Sequence, residues 1–461
     1  MSEQPRGLRS RIGPAVVLSV VVPLAALGAS LLVRTEQPAV HSADPEATAL
    51  SRVTLGCPSS RTNATAEVEI ASSLAEEDGE VGVDPLTDDQ QDLPVRAGAI
   101  TSTAAAATDG AVVIVGDDTW APGLLAARLS PSAATSCTEP QPDAWFAGVG
   151  ARPGHRSVVE LVNPDPGPAV VDLTLFAPTG PIDAEGFRGL RVPGRSTIAL
   201  DLSEQVPRRT ELGLHVEVSR GRLAASVWDA ADRLGTAPAS GDWLAPQAES
   251  LTSGILLGLP RGDGTRRLAL VNGGDDETRV SLRVVSPEST FAPEGLDEIR
   301  VPPQSIRSIS IDAVLAPQVR AGALGILVES TGPVAAALQT FVGSDLAPIS
   351  VGPVIEARGA VLAPPGPKEL LVAGAERPGV AVVVSRSADG TELSDERVEI
   401  GPDRGVRVKL PDRAMYVSLE LERTPVVASV FVHGTDGGSA VLPLHEVRAT
   451  GLVPAVRPAL P

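Results

Sequence analysis

Aromatic residues are scarce in this chain, and the scarcity narrows what it does. Six Phe, four Trp and one Tyr make up 2% of its 461 residues. Sugar-binding surfaces rest on exposed rings that join an apolar body to a polar tip. Trp145 and Trp228 lie in strand-like runs and read as core. Trp120 and Trp243 lie between such runs and are the candidate exposed anchors for a polysaccharide. Histidine is sparse as well: His41, His155, His215, His433 and His445 share no metal-ligand spacing such as HxxxH. His215 falls on the outward side of an alternating strand and reads as solvated. The sequence holds no GxSxG nucleophile elbow. Gly148-Val-Gly150 followed by Gly154 lacks the spacing of a dinucleotide fingerprint and reads as a turn cluster. No pair stands out among the many carboxylates. Catalytic, cofactor-binding and metal-binding residues are therefore assigned as none, and the chain reads as non-enzymatic with no cofactor. The alternative is a cell-wall enzyme working through carboxylates.

Positive charge is also in short supply. Lys368 and Lys409 are the two lysines, and 38 basic residues face 57 acidic ones, a net charge of −19. A nucleic-acid partner needs a basic face to displace counterions, so that class is excluded. Between Glu76 and Asp92 stand eight acids and no base. Like charges resist packing, which predicts a solvated loop over 76–92. A calcium site is the sharper alternative, although the DxDxDG spacing is missing. Cysteine is limited to Cys57 and Cys137. In an oxidising compartment they are expected to form a disulfide. It would close a loop of about 80 residues, worth roughly 4.5 kcal/mol in the chain-entropy description.

Long apolar runs are missing except for one. Arg6, Arg9 and Arg11 precede an uncharged stretch over 12–33, closed by Arg34. As a helix it would span about 33 Å, against a hydrocarbon core of about 30 Å. The arginines place residues 1–11 in the cytoplasm and everything after the helix outside. A cleaved signal peptide is the alternative, and it exports the same residues. Residues 34–49 lack periodicity and read as a tether.

What the rest contains is one pattern, several times over. Short runs alternate apolar and polar residues, such as Val171, Leu173, Leu175 and Leu214, Val216, Val218, with Pro, Gly, Asn and Asp between them. Period-two alternation predicts half-buried strands. LVNPDPGPAVVDLTLF returns as LVNGGDDETRVSLRVV, Val162 matching Val271 (271 − 162 = 109). LRVPGRSTIALDL returns as IRVPPQSIRSISI, Pro193 matching Pro302 (302 − 193 = 109). A third copy begins near Lys368, and a fainter one around Cys57.

The expected fold is all-β: a transmembrane helix over 12–33, then four β units at 50–142, 143–250, 251–357 and 358–461. Short apolar strands precede the later units, and a spare one, GLVPAV, starts at Gly451. Two architectures fit: tandem immunoglobulin-like sandwiches, or a closed propeller-like ring in which the C-terminal strand completes the first unit. Residues 161–180 and 190–202 resemble bacterial immunoglobulin-like modules. Together with the anchor, the Cys-bearing first unit, W-F-x-G at Trp145–Gly148 and LVNP at Leu161–Pro164, the chain resembles a family of actinobacterial exported single-pass proteins of unknown function. The resemblance covers Cys57 to the C-terminus. It implies an envelope protein outside the cytoplasmic membrane. The chain as a whole reads as a cell-membrane-anchored structural or interaction protein whose partners, beyond the membrane, are other envelope proteins or polysaccharide. It brings no catalytic residue. A polysaccharide-binding envelope protein is the alternative function.

Overall fold

A computed structural model describes residues 46–61, 67–87, 89–103, 110–231, 240–343, 345–434 and 438–453, together with Leu24. The fold is all-β, as the alternation predicts. In strand Ala169–Ala177, Ala169, Val171, Leu173 and Leu175 are buried, while Val170, Asp172 and Thr174 between them are half-exposed. Between residues 46 and 453 the described α-helices are Leu202–Gln205 and Asp312–Arg320.

Eight strands follow one another from residue 143. They are Asp143–Arg152, His155–Asn163, Ala169–Ala177, the pair Gly180–Ile182 and Leu190–Val192 (together the fourth), Ser196–Asp201, Arg209–Arg220, Ala224–Ala231 and Ser240–Leu244. Named by position, they pair as 1-6-3-4 and 5-2-7-8, two layers joined where the first strand turns into the second. The same two orders hold over 52–136, 251–350 and 358–443. In the 251–350 stretch, positions six and seven are one long strand, Gly325–Val342, which serves both layers. An immunoglobulin sandwich shares the pairings 2-5 and 3-6, but there strand 1 lies in the layer of strand 2 and strand 7 in that of strand 6. Here the first and seventh strands have exchanged layers, so the order differs from the immunoglobulin one.

Residues 49–451 form one compact unit, within which adjacent sandwiches share apolar clusters. Val113 and Val115 of the first meet Val162 and Ala224 of the second. The second sandwich's core takes in Ala269, Val271 and Ala337 of the third. Leu257 and Leu324 of the third meet Leu371 and Phe431 of the fourth. Ala360, Leu362 and Tyr416 of the fourth meet Ala71 and Ala127 of the first. The contacts follow one rule: strand 1 of a sandwich lies on strands 2 or 7 of the following one. Close approach is bought with small residues, since a Cβ on Gly56 would sit 2.5 Å from the Ala224 Cβ. Strands Ser240–Leu244, Asp345–Ser350 and Ser439–Pro443, all in position eight, touch in succession.

Several expectations change. Residues 76–92 are largely not a loop: Gly79–Asp84 and Gln91–Val95 pair as a hairpin, with Val81 and Val83 buried, Glu80, Asp89 and Asp92 exposed, and buried Asp84 paired with Arg195 at 3.0 Å. Strand Arg52–Cys57 is position one of the first sandwich. The copy seen around Cys57 therefore begins with a leading strand of its own, as the later units do. Strand Thr450–Val453 pairs with Glu46–Ala49 in a separate two-stranded sheet, joining neither layer of the first sandwich. Residues 46–49, expected in the tether, are thus a strand. Gly148 and Gly150 are not a turn but lie in the bulged strand Asp143–Arg152. Among the described residues no helix is long and apolar enough to cross a membrane. The run expected to do so, 12–33, lies outside them apart from Leu24.

Candidate functional site

Strands Asp143–Arg152 and His155–Asn163 form a tight hairpin, with Arg152 opposite His155. Side chains two apart share a face, so His155 and Ser157 point the same way. Ser157 faces Asp229 of strand seven, and His155 reaches the same carboxylate diagonally. The Ser157 hydroxyl donates to Asp229 at 2.5 Å, and His155 Nε2 lies 2.9 and 3.1 Å from the two carboxylate oxygens. Gln339 of the third sandwich donates to Asp229 at 3.1 Å and also to the Gly148 carbonyl. The imidazole rests on Gly150, where a Cβ would come within 2.3 Å of its Nδ1.

This set is not a nucleophilic triad. There, the imidazole stands between hydroxyl and carboxylate; here the carboxylate is central and Ser157 is fully buried. Burial disfavours the imidazolium, but the charge of Asp229 and its hydrogen bond outweigh that, and the His155 pKa rises above its ordinary value. The arrangement is a charged clasp between the second and third sandwiches.

Beside it opens a cavity of 490 Å³ lined by Arg152, Arg156, Arg208 and His155, with Ser203 and Pro207 at its edge. Arg156 pairs with Asp201. Arg208 holds a left-handed backbone, φ 68°, which costs a non-glycine residue about 1–2 kcal/mol.

Other buried polar groups sit at joints or at strand connections. Glu160 accepts from Ser59 and from Arg61 at 2.8 Å, joining the first and second sandwiches. Asp345 accepts from Ser240 at 2.6 Å and from the Ser439 backbone at 2.7 Å, so it binds the second, third and fourth. Asp242 accepts from the backbone of Ala134 at 3.1 Å. Burial, helped by Asp345, pushes the Asp242 carboxyl well up. Buried Arg128, Arg266 and Lys368 donate to carbonyls in the links between strands 1 and 2, namely Pro58, Pro260 with Gly262, and Gly366. Burial pulls Lys368 down to about 8.

The repeated LVN and RVP landmarks prove to be one device. Asn163 donates to the carbonyls of Gly167, Val192 and Pro193, and Asn272 to those of Asp276, Val301 and Pro302. Each asparagine fastens the end of strand 2 to the link between strands 4 and 5.

The residues singled out from sequence are not brought together. Cys57 and Cys137 are bonded, inside the first sandwich's core. Trp120 and Trp243 are not exposed anchors, being 2% and 4% accessible. The Trp120 indole N–H donates to the Glu77 carbonyl at 3.2 Å, and Trp243 packs edge-on to Trp228 at 5.1 Å. Their loop-like flanks hid a short helical turn and a strand. His215 is not free in solvent: it bonds Asp143 at 2.9 Å and stacks on Trp145 at 3.9 Å. Among the described residues no group of three or more His, Cys, Asp or Glu could hold a metal. Reading the sequence missed the His155 clasp, because its partners lie 74 and 184 residues away. The only local signal was His155 two residues before a buried Ser157, on one face of a strand.

Fold and site define a class: an all-β protein of packed eight-stranded sandwiches with polar clasps at their joints. A family model described as a family of unknown function (DUF5719) matches residues 94–411. The chain belongs to that family, and the match takes in the whole of the second and third sandwiches. No curated protein matches the chain.

Proposed function

We propose that this is a membrane-anchored, non-enzymatic structural or interaction protein of a bacterial cell envelope of the actinobacterial type, with its β region outside the membrane. That region is one eight-stranded module used four times and closed into a ring. The observation that carries the outward placement is the buried disulfide Cys57–Cys137, since such bonds persist in oxidising compartments. The apolar run 12–33 behind three arginines agrees with it. The ring rests on the common pairing order and on the shared cluster of the fourth and first sandwiches. Such a body offers four rigid outer faces to envelope partners.

Labelling intact cells with a membrane-impermeant maleimide tests the placement. Asp389→Cys, in an exposed turn of the fourth sandwich, should react without lysis, and Ser2→Cys only after it. The opposite pattern rejects the proposal.

A further inference from the structure

The cavity at the second sandwich's first hairpin is basic in a chain whose net charge is −19. Of its three guanidinium groups, Arg156 is neutralised by Asp201, with Glu204 nearby. The Arg152 and Arg208 side chains have no hydrogen bond or ion pair among the described residues, and both are exposed. They are neighbours across one antiparallel strand pair. Arg152 ends the first strand, and Arg208 precedes the sixth, whose Arg209 is paired with Ala151. The left-handed backbone of Arg208 is a strain of the kind that gathers where ligands are held. His155 also lines the cavity, and its Nε2 is committed to Asp229.

We infer that this cavity is a binding site for a phosphoryl group carried on a small organic body, gripped by Arg152 and Arg208. Guanidinium forks match the several acceptor oxygens of a phosphate, forming charge-assisted bonds to more than one of them. A volume of 490 Å³ lies within the range of about 300–1,000 Å³ typical of small-molecule sites. It exceeds what a lone phosphate fills, and Pro153 and Pro207 supply apolar wall for the remainder. The inference stands whether or not the chain is anchored outside a membrane, because it uses only residues of the second sandwich.

Isothermal titration of the full chain with inorganic pyrophosphate is the test. One-to-one binding is expected, weakened by about tenfold or more in Arg152→Gln/Arg208→Gln. Arg279→Gln, which removes an exposed charge in the third sandwich, should leave it unchanged. Both cavity arginines are exposed, so the double variant should keep the wild-type melting temperature, which is checked in parallel. Absence of saturable binding to the wild type, or equal binding by the double variant, overturns the site. Glycerol 3-phosphate and monomeric dihexanoyl phosphatidylglycerol, titrated in competition, separate a free phosphomonoester from a lipid headgroup. Whichever displaces pyrophosphate at the lower concentration names the source.

Discussion

Single buried polar side chains hold this molecule at defined points, and their removal should be felt locally. Asn163→Ala and Asn272→Ala each remove the amide donor to three backbone carbonyls, of which Pro193 and Pro302 keep the Ser196 and Ser305 hydroxyls. Unsatisfied buried groups cost about 1–3 kcal/mol, so each variant should lower the denaturant midpoint by a loss of about 2–3 kcal/mol. At His155 the folded pKa is raised. Its contribution is therefore complete below the unfolded value near 6.5 and disappears as pH rises through the folded pKa. Thermal melts from pH 5 to 9 should show the wild type losing an increment of stability that His155→Gln lacks throughout. A pH-independent difference between the two would contradict the charged clasp. Asp242 shows the reverse economy. Its carboxyl pKa is raised, chiefly by burial, so its ionised form opposes folding at neutral pH. Asp242→Asn keeps an acceptor for the Ala134 N–H and should raise stability by about 1 kcal/mol at pH 7, with the gain vanishing in acid.

Strands are the scale at which the C-terminal segment matters. The Val447 N–H bonds the Arg358 carbonyl of the fourth sandwich. The carbonyls of Arg448 and Ala449 accept from Gly123 and Leu50 of the first. This short stretch bridges the first and last sandwiches although it joins neither layer of the first. Deleting residues 447–461 should therefore speed proteolysis within 50–142, whereas deleting 454–461 should not. Equal cleavage of the two truncations would show that the bridge contributes nothing. The element-level errors of the sequence reading have one cause. Arg52–Cys57 and Glu69–Ser72 are both short apolar runs, and alternation does not say which position a strand takes in its sandwich. The acidic stretch misled for a related reason: Val81 and Val83, which form its buried face, are outnumbered by carboxylates.

Across the whole molecule, the disulfide and the four joints are the long-range constraints. Reducing Cys57–Cys137 opens a loop spanning 80 residues and should lower the stability of the first sandwich by roughly 4.5 kcal/mol. Hydrogen exchange should register the loss first in 50–142, then at its joints with the second and fourth sandwiches. A uniform change over all four would mean that the joints are rigid enough to melt as one.

The residue order alone determined that the chain is all-β, that the two cysteines pair, and that the LVN and RVP landmarks recur 109 residues apart. These follow from local periodicity and composition, which short windows report faithfully. Only tertiary structure decided which strands share a layer, that Trp120 and Trp243 are interior, and that His155 meets Asp229 and Gln339. It also decided that Arg152 and Arg208 face one cavity. Those outcomes depend on backbone pairing across tens to hundreds of residues. Such pairing is selected by the summed burial of many side chains, and no single stretch of sequence carries it.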